Sequence, residues 1–291
     1  MIVAVPAGGT ADVVGRMAQP ALVRVLGQQV VMDNRGGAGG MIGAETAAKA
    51  APDGYTLFFC APGPLTVLPH LQKNAAYDPR KDFAPIGLVA IGPFVLVSFP
   101  GESYKSIKEL ITQAKAAPGK IKYASAGNGS SNHLAAESLK SMAGINLTHV
   151  PYRGAPQGMT DVMGGHVGFT FSSIPPALPH IKSGRMHLLG ISSAKRSGIL
   201  PDVPTISEAG IPGYEWSTWL GLLAPAMTPA PILTKLHAAM VNAFNTPEMK
   251  SQLEVMGYDV ILGSPQEFRA FINAEWDKNA KVVKLSGAKV D

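Results

Sequence analysis

The stretch Pro6-Ala7-Gly8-Gly9-Thr10-Ala11-Asp12 has the residue types of an anion-binding turn. It follows an apolar segment at 2–5 and precedes apolar residues at helical spacing. Glycines let a backbone approach a ligand closely, and Thr10 is a suitable N-cap for the helix. The amide groups and the dipole at a helix start favour a negatively charged group. An ordinary strand-to-helix turn without a ligand is the alternative for this motif taken alone.

A second stretch, from Tyr123 to His133, repeats this arrangement farther along the chain. A strand-like start is followed by the Gly/Ser loop ASAGNGSS at 124–131 and then by a helix start. Its serines and amides would form another anion seat. If the two loops lie at strand ends in different lobes, they would face each other across a cleft. A dicarboxylate could then place one carboxylate on each loop.

Three other kinds of chemistry fit the sequence poorly. There is no G-x-x-x-x-G-K-[ST] motif, and no G-x-G-x-x-G follows the first strand, which disfavours a nucleotide site. Ser130 and His133 lie three residues apart, but no G-x-S-x-G is present, so Ser130 is better interpreted as a cap or ligand donor and His133 as a polar first-turn residue. No H-E-x-x-H or comparable spacing occurs, and we expect neither a metal nor a cofactor.

The composition is that of a compact globular chain with many turns. It has 291 residues, of which 46% are hydrophobic and 15% charged. The net charge of +5 is dispersed, which disfavours nucleic-acid binding but suits anionic small molecules. The single cysteine, Cys60, lies in an apolar run and indicates a buried, inert thiol. No segment reaches the roughly 18 apolar residues of a membrane span.

The elements that must position the two loops alternate between strand and helix. The first part of the chain predicts strands at 2–5, 29–32 and 55–60, with helices over 13–25 and 39–50. The rest predicts a helix at 106–117, a strand at 121–125, a helix at 131–143, a strand at 146–152, a helix at 155–163, a strand at 166–172, a short helix after Pro176, strands at 186–193 and 215–224, a helix at 229–245, a strand at 258–262 and a last helix from Ser264. This alternation is typical of parallel α/β sheets.

The pattern divides into two α/β lobes. We predict that lobe 1 is discontinuous, formed by residues 1–100 plus 220–291, and that lobe 2 spans residues 101–219. The hinge is expected near 98–104 and 214–220. Clefts between lobes joined in this way commonly bind ligands.

A series of short motifs runs in order along nearly the whole chain. They are PAGGTAD at 6–12, NRGGAGG at 34–40, PDGYTL at 52–57, YDP at 77–79 with KDF at 81–83, YASAG at 123–127, VPYRG at 150–154, LPDVPT at 200–205 and SGAKV at 286–290. This series strongly resembles the Bug family, also called the TctC family. Its members are the periplasmic solute receptors of tripartite tricarboxylate transporters.

The resemblance implies a fold and a role. The fold is a two-lobed periplasmic binding protein of type II, a Venus flytrap, in which each lobe is a mostly parallel sheet flanked by helices. The role is that of a receptor, not an enzyme, with no catalytic residues. It acts in the periplasm after removal of a secretion signal and delivers its ligand to membrane transporter subunits. A monomer is the ordinary expectation for such receptors.

The resemblance also implies a small carboxylate ligand, held between the lobes largely by backbone groups and water. The residues expected to bind it are Ala7, Gly8, Gly9, Thr10, Asp12, Ala61, Pro62, Ser125, Ala126, Gly129, Ser130, Ser131, His133 and Ser172.

The chain departs from the family pattern at two places. Gly168 and Ser172 stand where acidic residues are common, and Ala61-Pro62-Gly63-Pro64 replaces a more usual Ser/Thr-rich stretch. Fewer acidic groups near the ligand should disfavour an amine-bearing ligand such as an amino acid. We therefore expect a mono- or dicarboxylate with an otherwise uncharged body, which an aromatic ring would also satisfy.

Two other classes of protein stay open at this point. An enzyme could act on a carboxylate in the same cleft, with His133 or Asp12 as the base. A ligand sensor could present its closed form to a signalling protein instead of a transporter. The residues alone do not separate sensing from transport.

Overall fold

The computed structural model of the chain describes residues 1–72, 76–152 and 154–286. Arg153 of the VPYRG motif, and residues 287–291 of the predicted lobe 1 and the last motif, lie outside the described residues. The strands are β1 (Ile2–Val3), β2 (Asp33–Asn34), β3 (Phe58–Cys60), β4 (Phe83–Ser98), β5 (Lys122–Ser125), β6 (Thr148–Pro151), β7 (Phe169–Ser173), β8 (His187–Ile191), β9 (Ser217–Pro225) and β10 (Asp259–Gly263).

The helices flank these strands throughout the chain. They are α1 (Thr10–Leu26), α2 (Met41–Ala48), α3 (Leu68–Leu71), α4 (Ile107–Ala116), α5 (Ser131–Ala143), α6 (Ala155–Met163), α7 (Ile174–Lys182), α8 (Ala230–Phe244), α9 (Pro247–Val255) and α10 (Pro265–Ser286). A 3₁₀ turn at Ala38–Gly40 precedes α2, and a π-helical turn at Gly63–Val67 precedes α3. None of the helices among the described residues is long and apolar enough to cross a membrane.

The chain forms two compact units. The first consists of Met1–Ile91, Trp219–Glu254 and Tyr258–Lys281. The second consists of Gly92–Thr218, Val255–Gly257 and the stretch that starts at Val282.

The first unit has the strand order β2-β1-β3-β9-β4-β10. β1 pairs in parallel with β2 and β3, with Ile2 opposite both Asp33 and Phe58. β9 and β10 add antiparallel pairs to β3 and β4. Aromatic rings fill the core, where Phe58 stacks on Phe83 at 5.3 Å between centroids and Trp219 meets Phe268 edge-on.

The second unit has the strand order β8-β4-β7-β5-β6. β5 pairs in parallel with β6 and β7, which places Tyr123 opposite both His149 and Phe169. β4 pairs antiparallel with β7 and β8. A helix follows the carboxyl end of each of these parallel strands, and a loop connects β5 to the start of α5.

The predicted limits of two helices, 131–143 and 155–163, agree with α5 and α6. The strand predicted at 29–32 is wrong. The pairing register places β2 at Asp33–Asn34, because β1 spans only two residues and they lie opposite these two. The sequence analysis also missed α3, α9 and the full length of β4. Pro93 lies inside β4 between the residues that pair with β10 and those that pair with β7.

Candidate functional site

The first loop (residues 6–10) connects β1 to α1. Gly9 is the N-cap of α1, so the expectation that Thr10 caps the helix is wrong. The reason is a turn in which the Gly9 amide bonds the Pro6 carbonyl, so that the helix begins one residue early. Gly8 has a φ of +84°, which side chains disfavour. Within the described part of the chain no side chain caps α1, so its first-turn amides have no intrahelical or capping partner there.

Asp12 is buried beneath this loop, with 2% of its surface exposed. Its carboxylate accepts hydrogen bonds from the Gly8 amide, Arg16 Nε and Asn34 Nδ2, each at 2.9 Å. Burial opposes ionisation, but the hydrogen bonds from Arg16, Gly8 and Asn34 outweigh it and lower the pKa of Asp12. The carboxylate therefore shapes the first loop, and its charge is balanced by Arg16.

The glycine segment (residues 36–40) packs against residues 4–6, at the start of the first loop. A Cβ on Gly36 would lie 3.0 Å from Pro6, and one on Gly40 would lie 2.8 Å from the Ala4 carbonyl oxygen. Gly40 also has a φ of +98°. These glycines therefore allow close backbone packing beside the first loop.

The third loop (residues 61–64) holds Ala61 and Pro62, and it leads into the π-helical turn. Inside the turn, the buried Thr66 hydroxyl donates to the Pro62 carbonyl at 3.2 Å, and Asn279 Nδ2 donates to Thr66 Oγ1 at 3.1 Å. Tyr77 OH donates to the Pro64 carbonyl at 2.5 Å. π-turns occur frequently at functional sites. In the first unit this loop meets the glycine segment, because a Cβ on Gly63 would lie 3.3 Å from the Gly39 oxygen.

The second loop (residues 125–131) connects β5 to α5 in the second unit. Ser130 is the N-cap by position, but its side chain does not cap the helix. Its hydroxyl instead lies 2.6 Å from the Gly127 oxygen and 2.7 Å from Asn132 Oδ1. The first-turn amides of α5 are therefore uncapped, as in α1.

Side chains of α5 and β6 occupy most of the remaining polar groups of the second loop. Asn132 Oδ1 accepts from the Ala126 amide at 3.2 Å. The buried Ser125 hydroxyl accepts from the Gly127 amide at 3.1 Å and lies 2.6 Å from His149 Nε2. Sequence reasoning missed Asn132 and His149 as site residues, since a strand register rather than a motif brings His149 to Ser125.

His133 is buried, with 3% of its surface exposed, although the sequence suggests a polar first-turn residue. Its Nδ1 accepts from the Gly129 amide at 3.1 Å. Burial, followed by the charges of His149 and Lys140, lowers the pKa of His133 to about 3. Such an imidazole is a poor general base at neutral pH.

Ser172 lies buried on β7, and its hydroxyl donates to the Ser173 carbonyl at 3.0 Å. A Cβ on Gly168 would lie 2.5 Å from Tyr104 OH, so a side chain at that position would require Tyr104 to move. This contact gives a physical reason for glycine at the position where the family pattern expects an acid.

The predicted site residues divide between the two units, with Ser172 on β7 of the second unit. Ala7, Gly8, Gly9, Thr10 and Asp12 share the first loop and its helix start, with Ala61 and Pro62 in the third loop. Ser125, Ala126, Gly129, Ser130, Ser131 and His133 share the second loop and its helix start. The amides of Gly8, Ala126 and Gly129 donate to side chains of the helices that follow, and the Gly9 amide donates to the Pro6 carbonyl. The amides of the first helical turns are therefore the donors that a ligand could use.

Other parts of the chain were candidates for a metal site, a reactive thiol or a ligand cavity, and they offer fewer groups for binding or reaction. Within the described residues, no group of three or more His, Cys, Asp or Glu side chains could hold a metal ion. Cys60 is buried, and burial raises the pKa of its thiol well above the usual value. A cavity of about 500 Å³ in the first unit lies between the end of α1 and α8, and its lining includes Leu26, Val30, Tyr55 and Ile232 but none of the predicted ligand residues.

Comparisons with known proteins assign the chain to a family. A family model described as tripartite tricarboxylate transporter family receptor, TctC, matches residues 14–287. The chain belongs to this family, and the resemblance found in the sequence is confirmed.

Individual relatives are similar to this protein over nearly the whole chain. BugT of Bordetella pertussis is 36% identical over 291 residues, covering 100% of this chain and 89% of BugT. The structure of Rhodopseudomonas palustris Rpa4515 with adipate has a TM-score of 0.88 and 33% identity, covering 99% of this chain and 97% of that one. MatC (Rpa3494) of the same organism with bound malate has a TM-score of 0.83 and 31% identity, covering 97% of both chains.

These findings establish the class of protein. It is a periplasmic solute receptor of the TctC/Bug type with an α/β fold, and its family and structural neighbours are binding proteins rather than enzymes. The predictions of family, fold class and non-enzymatic role are therefore confirmed.

Proposed function

We propose that this receptor binds a small carboxylate between its two lobes and delivers it to a tripartite tricarboxylate transporter. The observation that carries the proposal is that each compact unit has a strand, a glycine loop and a helix whose N-terminus is uncapped. The solved relatives with bound adipate and malate support a carboxylate, because both molecules are carboxylates.

The first carboxylate contact would come from the start of α1. The amides of Thr10 and Ala11 lie at the positive end of a 17-residue helix, and none of the described side chains caps it. Asp12 does not oppose an anion there, since its carboxylate is buried and paired with Arg16. Backbone atoms of Ala7, Gly8 and Gly9 would line this carboxylate site.

The second contact would come from the start of α5. The amides of Ser131 and Asn132 are uncapped, because the Ser130 hydroxyl faces its own loop. Water could bridge the remaining distance to Ser125, Ser130 or Ser172, as ordered water commonly does in ligand sites. A second carboxylate, or another polar end of the ligand, would occupy this seat.

Binding to both seats would favour a closed state through its differential affinity for that state. The lobe limits at 100/101 and 219/220, and the hinge near 98–104 and 214–220, stay predictions and form part of this proposal. So do the removed secretion signal, the monomeric state and the choice of a mono- or dicarboxylate without an amine.

A ligand screen tests the proposal directly. Thermal shift and calorimetry would measure binding of adipate, malate, aromatic monocarboxylates and amino acids to the purified protein. We expect stabilisation by one or more amine-free carboxylates, because the site offers amide donors and Asp12, its one predicted acidic residue, is paired with Arg16. Stabilisation by amino acids alone would contradict the proposed ligand class.

A matched pair of variants locates the site within the same experiment. Ser130→Leu places a bulky side chain at the start of α5 and should weaken binding about tenfold or more while the protein stays folded. Ser141→Leu makes the same change at an exposed position near the end of α5 and should leave affinity unchanged. Equal affinities for the two variants would contradict the placement of the ligand at the second loop.

A further inference from the structure

We propose that His133 and His149 form a two-histidine brace that fixes the second loop in its ligand-binding form. The two imidazole rings are stacked, with centroids 3.9 Å apart and an interplanar angle of 14°. Each ring bonds a different part of the loop. His133 and His149 are therefore positioning residues, and this inference rests on the proposed function because the loop is the proposed carboxylate seat.

His133 acts on the loop through Gly129. The Gly129 amide donates to His133 Nδ1 at 3.1 Å, so Nδ1 must be the unprotonated nitrogen. The proton then resides on Nε2, which lies 3.9 Å from Glu137 Oε1. Gly129 has a φ of +73°, and the bond to His133 holds this left-handed residue just before the uncapped helix start.

His149 acts on the loop through Ser125. Its Nε2 lies 2.6 Å from Ser125 Oγ, and the same hydroxyl accepts from the Gly127 amide. The parallel pairing of β5 with β6 places His149 opposite Tyr123, two residues before Ser125. The stacked pair therefore reaches both the beginning and the end of the loop, and movement of one ring would disturb the other.

Burial and the charge of Lys140 favour the neutral form of both rings, and they outweigh Glu137, which favours a charged His149. Glu137 on α5 is buried and accepts hydrogen bonds from Tyr123 OH at 2.5 Å and from Lys140 Nζ at 2.7 Å, so its charge is balanced by Lys140. Tyr123 on β5 also stacks on His149 at 5.0 Å between centroids. Burial lowers the pKa of both histidines. A proton on His133 Nδ1 would point at the Gly129 amide, which is itself a donor, and would break the brace.

A purely structural role for His133 makes a different prediction from a positioning role. If the ring only fills space, His133→Phe should preserve binding, because Phe keeps a flat ring in the stack. If the Nδ1 acceptor positions Gly129, His133→Phe should weaken binding even though the Phe ring packs in the stack. His133→Asn supplies an acceptor, Oδ1, one bond from Cγ as in His, and lacks the ring.

The experiment compares these two variants with the wild type in the full chain. We expect His133→Phe to raise the Kd of the best carboxylate from the screen about tenfold, which is the loss of roughly one hydrogen bond. His133→Asn should recover most of that affinity even if its Tm is lower. Wild-type affinity in His133→Phe, or an equal loss in both variants, would overturn the brace.

An NMR measurement on the ligand-free wild type separates this inference from the proposed function. Imidazole nitrogen shifts should show His133 as the neutral Nε2–H tautomer at pH 7, and the Gly129 amide signal should move in His133→Phe. An Nδ1–H tautomer would overturn the brace whether or not the variants fold. If the wild type binds no carboxylate in the screen but shows the Nε2–H tautomer, the proposed function fails and the brace geometry stands.

Discussion

Asp12 shows how a charged side chain can serve an anion site by supporting the loop rather than by presenting its charge. The carboxylate bonds the Gly8 amide in the loop, Arg16 one turn along α1, and Asn34 at the end of β2. Asn34 in turn donates to the Val5 carbonyl at 3.2 Å. One buried carboxylate therefore joins a strand, a loop and a helix of the first unit.

Replacing Asp12 should affect both stability and affinity. Asp12→Ala removes the buried carboxylate that accepts the part-buried hydrogen bonds from the Gly8 amide and Asn34 Nδ2, which should lower the free energy of unfolding by about 1–3 kcal/mol. Asp12→Asn retains one acceptor oxygen and should lose less. Urea unfolding and carboxylate binding would measure both effects. Asp259→Ala removes an exposed aspartate of β10 and is the control, so equal losses in Asp259→Ala and Asp12→Ala would contradict the argument.

At the same scale, the motifs predicted the loops but not the residues that hold them. Gly8, Gly9, Ser125 and Ser130 are predicted because glycine and serine before a helical pattern indicate an anion-binding loop, and as ligand contacts they stay predictions. Asn34 and His149 could not be identified in this way. Their partners are set by strand register, Val3 with Asn34 and Tyr123 with His149, and a register depends on long-range packing that no local pattern encodes.

At the scale of elements, helices with clear start and stop signals were predicted well. α5 ends at Ala143 before Gly144, which adopts the left-handed conformation, and α4 has Ser106 as an N-cap that accepts from the Glu109 amide. The π-helical turn at Gly63–Val67 has no such signal. It is held by Asn279, more than two hundred residues away, so only the folded chain specifies it.

The glycine segment gives a test of close backbone packing at this scale. Gly40→Ala places a side chain on a residue with left-handed backbone conformation, and the new Cβ clashes with the Ala4 oxygen at 2.8 Å. Gly27→Ala has only the unfavourable backbone conformation, since its φ is +67° and nothing lies within 4 Å of the new Cβ. We expect Gly27→Ala to cost about 1 kcal/mol and Gly40→Ala clearly more. Urea unfolding would measure both, and equal costs would show that the segment adapts without strain.

At the scale of the whole molecule, the buried histidines should make stability depend on pH. Their pKa values in the folded chain lie below the ordinary value of about 6.5. Above that pH both histidines are neutral in the folded and in the unfolded state, so the pair does not make stability depend on pH. Below it the unfolded chain takes up protons before the folded chain does, so stability should fall by up to about 1.4 kcal/mol per pH unit for each histidine until the folded pKa of that histidine is reached. For His133 the fall continues toward its folded pKa of about 3.

Urea midpoints between pH 7.5 and pH 4.5 would measure this slope. His133→Asn removes one of the two buried imidazoles and should give a shallower loss of stability in acid, whatever its stability at neutral pH. His166→Asn, at an exposed histidine, is the control and should retain the wild-type slope. An unchanged slope in His133→Asn would contradict the neutral, buried state of that ring.

The isolation of Cys60 has a practical consequence for studying how the receptor moves. It is the single cysteine of the chain, and it is buried with a thiol that resists ionisation, so maleimide dyes should leave it untouched in the native protein. Cysteines introduced at one exposed position in each unit could then carry a fluorophore pair without prior removal of Cys60. Energy transfer between the dyes would report, molecule by molecule, whether solute addition brings the two halves closer.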